Sequence, residues 1–386
     1  MKTIISEIES NISNLQKFKR RILGGTMRTK NFAVPVLILG FTLSLLFSAA
    51  LWSQEKQKKE AEKIFIPKEV KSVLLEGLEA RQARLDIPFT LFKHIFLPAS
   101  SGFHNVFFFK VKNESLGFAA PAPPKEETKK EKEATPPALE EQPATAQLEA
   151  KFNIFLMFNR LEKDTPPQIV REVYVPVSLQ ADPVSFDPEK EEIYTFGFPT
   201  ASGNYLLAMA ITSLDLSKIG TYYFEFSVPD PATFTTALET TPIFFIKNME
   251  QMAAPETRVG VHKDFFVYSV LKIEPHIDNV FAVGENLDIF FFILGTKPNE
   301  QQQYNIEINY EVKQEDKTAI RYEATTYPNP LISQPLPLKQ TILVKTEKEE
   351  KKEVRDLPAG HYTLVITIAD KISGLSGTKN VEFDVK

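Results

Sequence analysis

Cysteine is absent from the 386 residues. That removes disulfide frameworks, Cys-ligated zinc, iron–sulfur clusters, thiol nucleophiles and lipidated cysteine anchors together. Glycine is scarce at 15 residues, and the single tryptophan is Trp52. Neither the phosphate loop Gly-x4-Gly-Lys-Ser/Thr, nor the dinucleotide fingerprint, nor Gly-x-Ser-x-Gly occurs. No excess of one charge exists either: 45 Lys+Arg face 50 Asp+Glu, a net charge of −5, which argues against a nucleic-acid partner held by phosphate neutralisation. The histidines, His94, His104, His262, His276 and His361, form no His-Glu-x-x-His or His-x-His pattern. No catalytic residue, metal ligand or cofactor site is expected.

What is plentiful is phenylalanine, at 31 residues, and proline, at 27. Residues 32–51, FAVPVLILGFTLSLLFSAAL, run without a charge and would span about 30 Å as a helix. Counted from Met27, the segment has the parts of a cleaved signal peptide: Arg28 and Lys30, an apolar stretch, then Ser48-Ala49-Ala50. Counted from Met1, the cluster Lys17, Lys19, Arg20 and Arg21 makes it an uncleaved signal anchor. Both readings make residues 1–53 a targeting extension. Both place the rest of the chain outside the cytoplasm, in the periplasm, on the cell surface or secreted.

Residues 66–82, IPKEVKSVLLEGLEARQ, read as one amphipathic helix, with Pro67 in its first turn and Val70, Val73, Leu74 and Leu78 on one face. From Ile87 onward the pattern is short strands broken by Pro, Asn, Asp and Gly. Residues 119–147 interrupt it with six prolines, mixed charge and no aromatic residue, the composition of a disordered spacer. The charge run from Lys345 to Arg355 lies between two strands and reads as an exposed hairpin tip.

The strand region contains an internal repeat. FNIFLMFNRLEKD (152–164) aligns with YNIEINYEVKQED (304–316), and VFFFKVKN (106–113) with IFFFILGT (289–296). Tyr205, Asp215, Gly220-Thr221 and Glu225-Phe226 recur in order as Tyr362, Asp370, Gly377-Thr378 and Glu382-Phe383. Tandem duplication is expected, with 119–147 as an insertion in a loop of the first copy. The boundaries follow: a first β-sandwich at 64–246, a linker at 247–263 and a second β-sandwich at 264–386. The fold class is mainly β, two tandem immunoglobulin-like antiparallel sandwiches after a hydrophobic and an amphipathic helix. The last strand pair ends at the final residue, and no catalytic domain is expected beyond it.

In the second copy Tyr304, Ile306, Ile308, Tyr310 and Val312 alternate with polar residues, the pattern of a strand with one wet face. The first copy has Phe155 and Met157 where the second has Glu307 and Asn309. A cover over these two side chains is expected, the bland alternative being a harmless exposed pair. The N-terminal helix, the second domain or another chain would each provide one, and Phe155 and Met157 are therefore the candidate interface residues. The repeated Asp215 and Asp370 are read as turn formers, and Tyr205 and Tyr362 as tyrosine corners.

LPAGHYTLVITIAD (357–370) followed by VEFDV resembles the last strands of immunoglobulin-like or fibronectin-like sandwiches in exported bacterial proteins. With VFAVGENLDIFFFILG upstream, it is similar to regions accompanying GWxTD-type domains, although the Gly-Trp-x-Thr-Asp motif itself is absent. The resemblance implies an envelope protein and carries over no site residue. The functional expectation is a non-enzymatic extracytoplasmic protein making protein–protein or structural contacts in the envelope, tied to the membrane if 32–51 is retained. The alternative is a carbohydrate- or polymer-binding module. A hydrolase would need two of Asp215, Asp230 and His262 in one polar pocket.

Overall fold

The structure, a computed structural model, describes residues 66–100, 102–120, 147–345 and 350–386. The extension 1–53 with its apolar run, and residues 121–146 of the expected insertion, lie outside the described residues. In chain order, helix α1 (Lys68–Ala80) is followed by β1 (Phe89–Ala99), β2 (Gly102–Lys112), β3 (Leu148–Leu161), β4 (Gln168–Ala181), β5 (Glu191–Thr200), β6 (Gly203–Ser213) and β7 (Ile219–Val228). Then come β8 (Glu239–Thr240), β9 (Phe244–Gln251), β10 (His262–Lys263), β11 (Phe266–Tyr268), β12 (Leu271–Pro275), β13 (Val280–Phe281), β14 (Asn286–Leu294) and β15 (Ile306–Gln314). The last are β16 (Lys317–Arg321), β17 (Thr325–Tyr327), β18 (Leu331–Pro337), β19 (Lys339–Lys345), β20 (Glu350–Asp356), β21 (Gly360–Asp370) and β22 (Ser376–Val385). The protein is mainly β, as its alternation predicts, and no described helix is long and apolar enough to cross a membrane.

The strands form two pairs of sheets. In the first pair, β1-β2-β5-β10 packs against β4-β3-β6-β7. Phe107, Phe109, Phe196 and Phe198 from one sheet meet Ile154, Phe158, Leu207 and Phe226 from the other in a single buried core. In the second pair, β11-β12-β9-β14-β18, with β8 also on β14, packs against β13-β22-β21-β15-β16, with β17 also on β15. Its core holds Phe245, Ile289, Phe291, Ile308, Tyr310, Ile366 and Phe383. The expected wet-faced strand is β15, where Ile306, Ile308, Tyr310 and Val312 are buried. Lys339–Lys345 and Glu350–Asp356 pair as a separate two-stranded hairpin, so much of the charge run is itself a strand and not the tip expected from sequence.

The expected linker at 247–263 needs correction. Phe244–Gln251 is a strand paired with β12 and β14 of the second sandwich. His262 and Lys263 then return to pair with Thr195 and Tyr194 at the edge of the first. The chain leaves the first sandwich after Val228, enters the second, revisits the first and re-enters the second at β11. A two-residue strand has too few alternating positions to register as a pattern, which hides this return from sequence.

Glycine is required where the chain crosses its own last strands. Segment 84–87, leading into β1, lies across the start of β7 in a bridge pairing Leu85 with Gly220. A Cβ on Gly220 would sit 1.9 Å from the Ile87 carbonyl oxygen. Gly220→Ala is therefore expected to destabilise the protein by about 1–3 kcal/mol, as overpacking does, read from urea unfolding. An unchanged midpoint would mean that segment 84–87 does not hold to β7.

Candidate functional site

Phe155 and Met157 point away from the first core on β3, and both are buried. Their cross-strand neighbours on β6 are Ala210 and Ala208, so large side chains on one strand sit beside small ones on the next. Helix α1 rests in this relief with Ile66, Val70 and Leu74 against Phe155, Met157, the two alanines and Ile219. Tyr223 on β7 donates from its hydroxyl to the Leu74 carbonyl at 3.0 Å, and a Cβ on Gly77 would collide with that hydroxyl. Lys71 pairs with Glu172 on β4, and Tyr174 stacks on Phe155 at 5.2 Å. The candidate interface is thus corrected: these two residues are covered by the chain's own helix and are not open to a partner.

The Phe triplets behave alike. Phe107 and Phe109 enter the first core while Phe108, between them, faces the second sandwich and meets Phe266 edge-on at 6.1 Å. On β14, Phe291 enters the second core, and Phe290 and Phe292 face the other way, against Phe244 and Tyr268. All of these rings are buried. A shift in register at Leu91/Lys93 turns β1 over, so Ile95 and Leu97 join the face of Phe108. Polar pins flank this aromatic joint. The Tyr268 hydroxyl donates to the Pro98 carbonyl, and the Thr195 hydroxyl to that of Phe265. Glu192 accepts from Lys190 at 2.9 Å and from Lys263 at 3.1 Å. Burial opposes ionisation of Glu192, but those two ammonium donors hold its carboxyl below the usual range.

Two histidines lie in this region. His94 contacts Asn105 Oδ1 at 2.9 Å and stacks on Phe107. His104 packs against Tyr268 across the joint, bonds the Val267 backbone, and keeps its Nε2 buried without a hydrogen-bond partner. Burial lowers both pKa values to about 4.

The repeated aspartates are turn residues, as read from sequence. Asp215 accepts from the Ser213 and Ser217 hydroxyls and the Ser217 amide, which lower its pKa to about 2. Asp370 is buried and accepts from the Lys297 and Ile372 amides and the Ser373 hydroxyl. Tyr205 and Tyr362 each donate to the carbonyl four residues earlier, of Ala201 and Pro358. Asp230 accepts from the Ala232 amide and His262 meets Glu256, and none of Asp215, Asp230 and His262 lines either groove described below.

Two grooves border the joint. One, of about 230 Å³, is lined by Lys263, Asp264, Phe265, Lys272 and Glu274. The other, of about 480 Å³, lies between Phe96 of the first sandwich, segment 239–243 and residues 379–382 of β22. It was not legible in sequence, because its walls come from four separate stretches of chain. Among the described residues, no cluster of three or more His, Asp or Glu side chains is placed to hold a metal.

No family model and no curated protein matches the chain. Among solved structures it is similar to Salmonella alpha-2-macroglobulin reacted with methylamine (9% identity) and to a mutant of that protein (8% identity), each with a TM-score of 0.15. These matches cover 78% and 77% of this chain but 16% of the macroglobulin chains. A likeness that slight fixes neither fold nor function.

Two outcomes are expected. Replacing Phe155 by Glu together with Met157 by Asn puts polar groups under α1 and should cost at least about 3–5 kcal/mol, seen in thermal unfolding. A double variant as stable as the parent would show that the helix does not hold that face. Because His94 and His104 have folded pKa values below their unfolded value of 6.5, the unfolded state takes up protons first on acidification. Their contribution is complete above pH 6.5 and is lost as pH falls towards 4. The double His→Gln variant should have a flatter stability profile across that window than the parent.

Proposed function

We propose that this chain is a non-enzymatic extracytoplasmic envelope protein whose tandem immunoglobulin-like sandwiches make protein–protein or structural contacts. The observation that carries this reading is that the two sandwiches are fused through a buried aromatic joint, the arrangement of a spacer that presents edges and loops. Duplication is supported by order: β3-β6-β7 and β15-β21-β22 pair in the same sequence and carry the matching strings. The tyrosine hydrogen bonds fit the corner found in immunoglobulin-type sandwiches. The extracytoplasmic location rests on the apolar run 32–51, retained as an anchor or cleaved.

The alternative, a carbohydrate- or polymer-binding module, draws on the amide-bearing groove that contains Asn279 and Asn380. Against it, Phe92 is the one Phe, Tyr or Trp in the exposed class among the described residues, whereas sugar platforms need open rings.

A phosphatase reporter active only outside the cytoplasm, fused after Lys386, should be active and should lose activity when 32–51 is deleted. In-cell photocross-linking from Val354, exposed on the β19–β20 hairpin, should give discrete protein adducts. An inactive reporter overturns the location. Adducts to glycan alone favour the alternative.

A further inference from the structure

β22 is bonded to β21 along its whole length, but its other edge is only partly used. Antiparallel pairing points the backbone groups of alternate residues to opposite sides. On the outer side, the Asp384 and Lys386 amides donate to the Asn279 and Phe281 carbonyls at 3.0 and 2.8 Å. The Glu382 carbonyl accepts from the Asn279 side chain at 3.1 Å. Further back, the Glu382 amide and the amides and carbonyls of Asn380 and Thr378 face outward with no protein partner among the described residues.

The first sandwich shows what such an edge accepts. Thr221, which follows Gly220 at the start of β7, donates its amide to the Arg84 carbonyl at 2.9 Å. Its hydroxyl accepts from the Arg84 amide at 2.8 Å. An extended segment of the same chain thus covers the start of that edge, at Gly220 and Thr221. Gly377-Thr378 opens β22 in the same way, and the Leu238 carbonyl approaches Gly377, 3.2 Å from where a Cβ would stand. There the resemblance stops. Glu239 and Thr240 turn off to pair with Leu294 and Ile293 on β14, Thr378 is left exposed, and the 480 Å³ groove opens alongside.

We infer that the Thr378–Glu382 edge of β22 is a strand-addition site for an extended peptide of a partner protein. The inference rests on the protein-contact reading above and names the partner's chemistry. Free groups recur every second residue, roughly 6.7 Å apart along the strand, a spacing that another extended backbone matches. A compact small molecule does not span them. The groove alongside is lined by Phe96, Ile243 and Val381 together with Asn279, Asn380 and the Lys379–Glu239 pair, so the side chains of the added strand that enter it are of mixed apolar and polar character. Its direction is antiparallel, as for Leu85 against Gly220.

The test selects displayed random peptides of about nine residues on the full-length chain in detergent, then follows amide exchange. Bound peptide should slow exchange at Thr378, Asn380 and Glu382 by about tenfold or more, leaving Thr221 unchanged. Asn380→Pro removes an outward donor at an edge position and should weaken binding by about tenfold or more at an unchanged melting temperature. Selected peptides that leave these three amides unprotected overturn the site, as does failure to select any peptide. If Asn380→Pro does not fold, exchange in the unsubstituted chain decides alone. Cross-linked protein adducts that persist in a folded Asn380→Pro chain overturn the edge site and leave the protein-contact reading standing. Loss of every protein adduct from the parent chain strikes that reading itself.

Discussion

Strands β2, β3 and β14 are apolar on both faces, and the structure is arranged to cover each of them twice. β2, β3 and β14 each place one set of side chains in a sandwich core. Each also presents a second set that water would otherwise meet. At about 2–3 kcal/mol for a fully buried Phe, the outer rings Phe108, Phe290 and Phe292 with Phe244 and Phe266 represent on the order of 10 kcal/mol. That matches the whole net stability of an ordinary domain. Neither sandwich is therefore expected to be stable without a cover for its outer face. Each serves as the cover of the other, while β3 is covered by α1.

Covering by a neighbour explains the path of the chain between the sandwiches. A flexible linker would leave the joint to be closed by association alone. Here β10 is bonded to β5, and Lys263 is paired with the buried Glu192, immediately before β11 enters the second sandwich. Phe266 then meets Phe108 two strands further in. Backbone pairing, an ion pair and ring packing all fall within a few residues, so the joint is positioned locally as well as held by area.

How much of this was legible follows from the length scale of each signal. Helix α1 was readable because Val70, Val73 and Leu74 recur at helical spacing, and β15 because its alternation is strict. The turn roles of Asp215 and Asp370 and the anchoring of Tyr205 and Tyr362 depend on neighbours within a few residues, and local sequence carried them. Phe155 and Met157 carried half a message: an apolar pair on a wet-face position demands a cover, but nothing local names it. The deciding signal was distant, in Ala208 and Ala210, whose small side chains on β6 make room for a helix. The return of the chain at His262–Lys263 and the groove beside β22 have no local signature, because each is made by stretches far apart in sequence.

With the outer faces of β2, β3 and β14 already occupied, edges, loops and the wet face of β15 remain for contacts with other molecules. Native sheets normally blunt their edges with proline, charge or bulges. β4 follows that rule, with Pro176 and a register shift beside Arg171. β18 carries Pro335 and Pro337, and β7 is covered at its start by segment 84–87. β22 between Thr378 and Glu382 has no proline and no register shift, and its Lys379 is paired with Glu239. At their Gly-Thr starts β7 and β22 thus differ: segment 84–87 covers β7 there, and β22 is left open. That edge leaves a row of unpaired amides and carbonyls beside a groove, the backbone pattern that an extended segment matches.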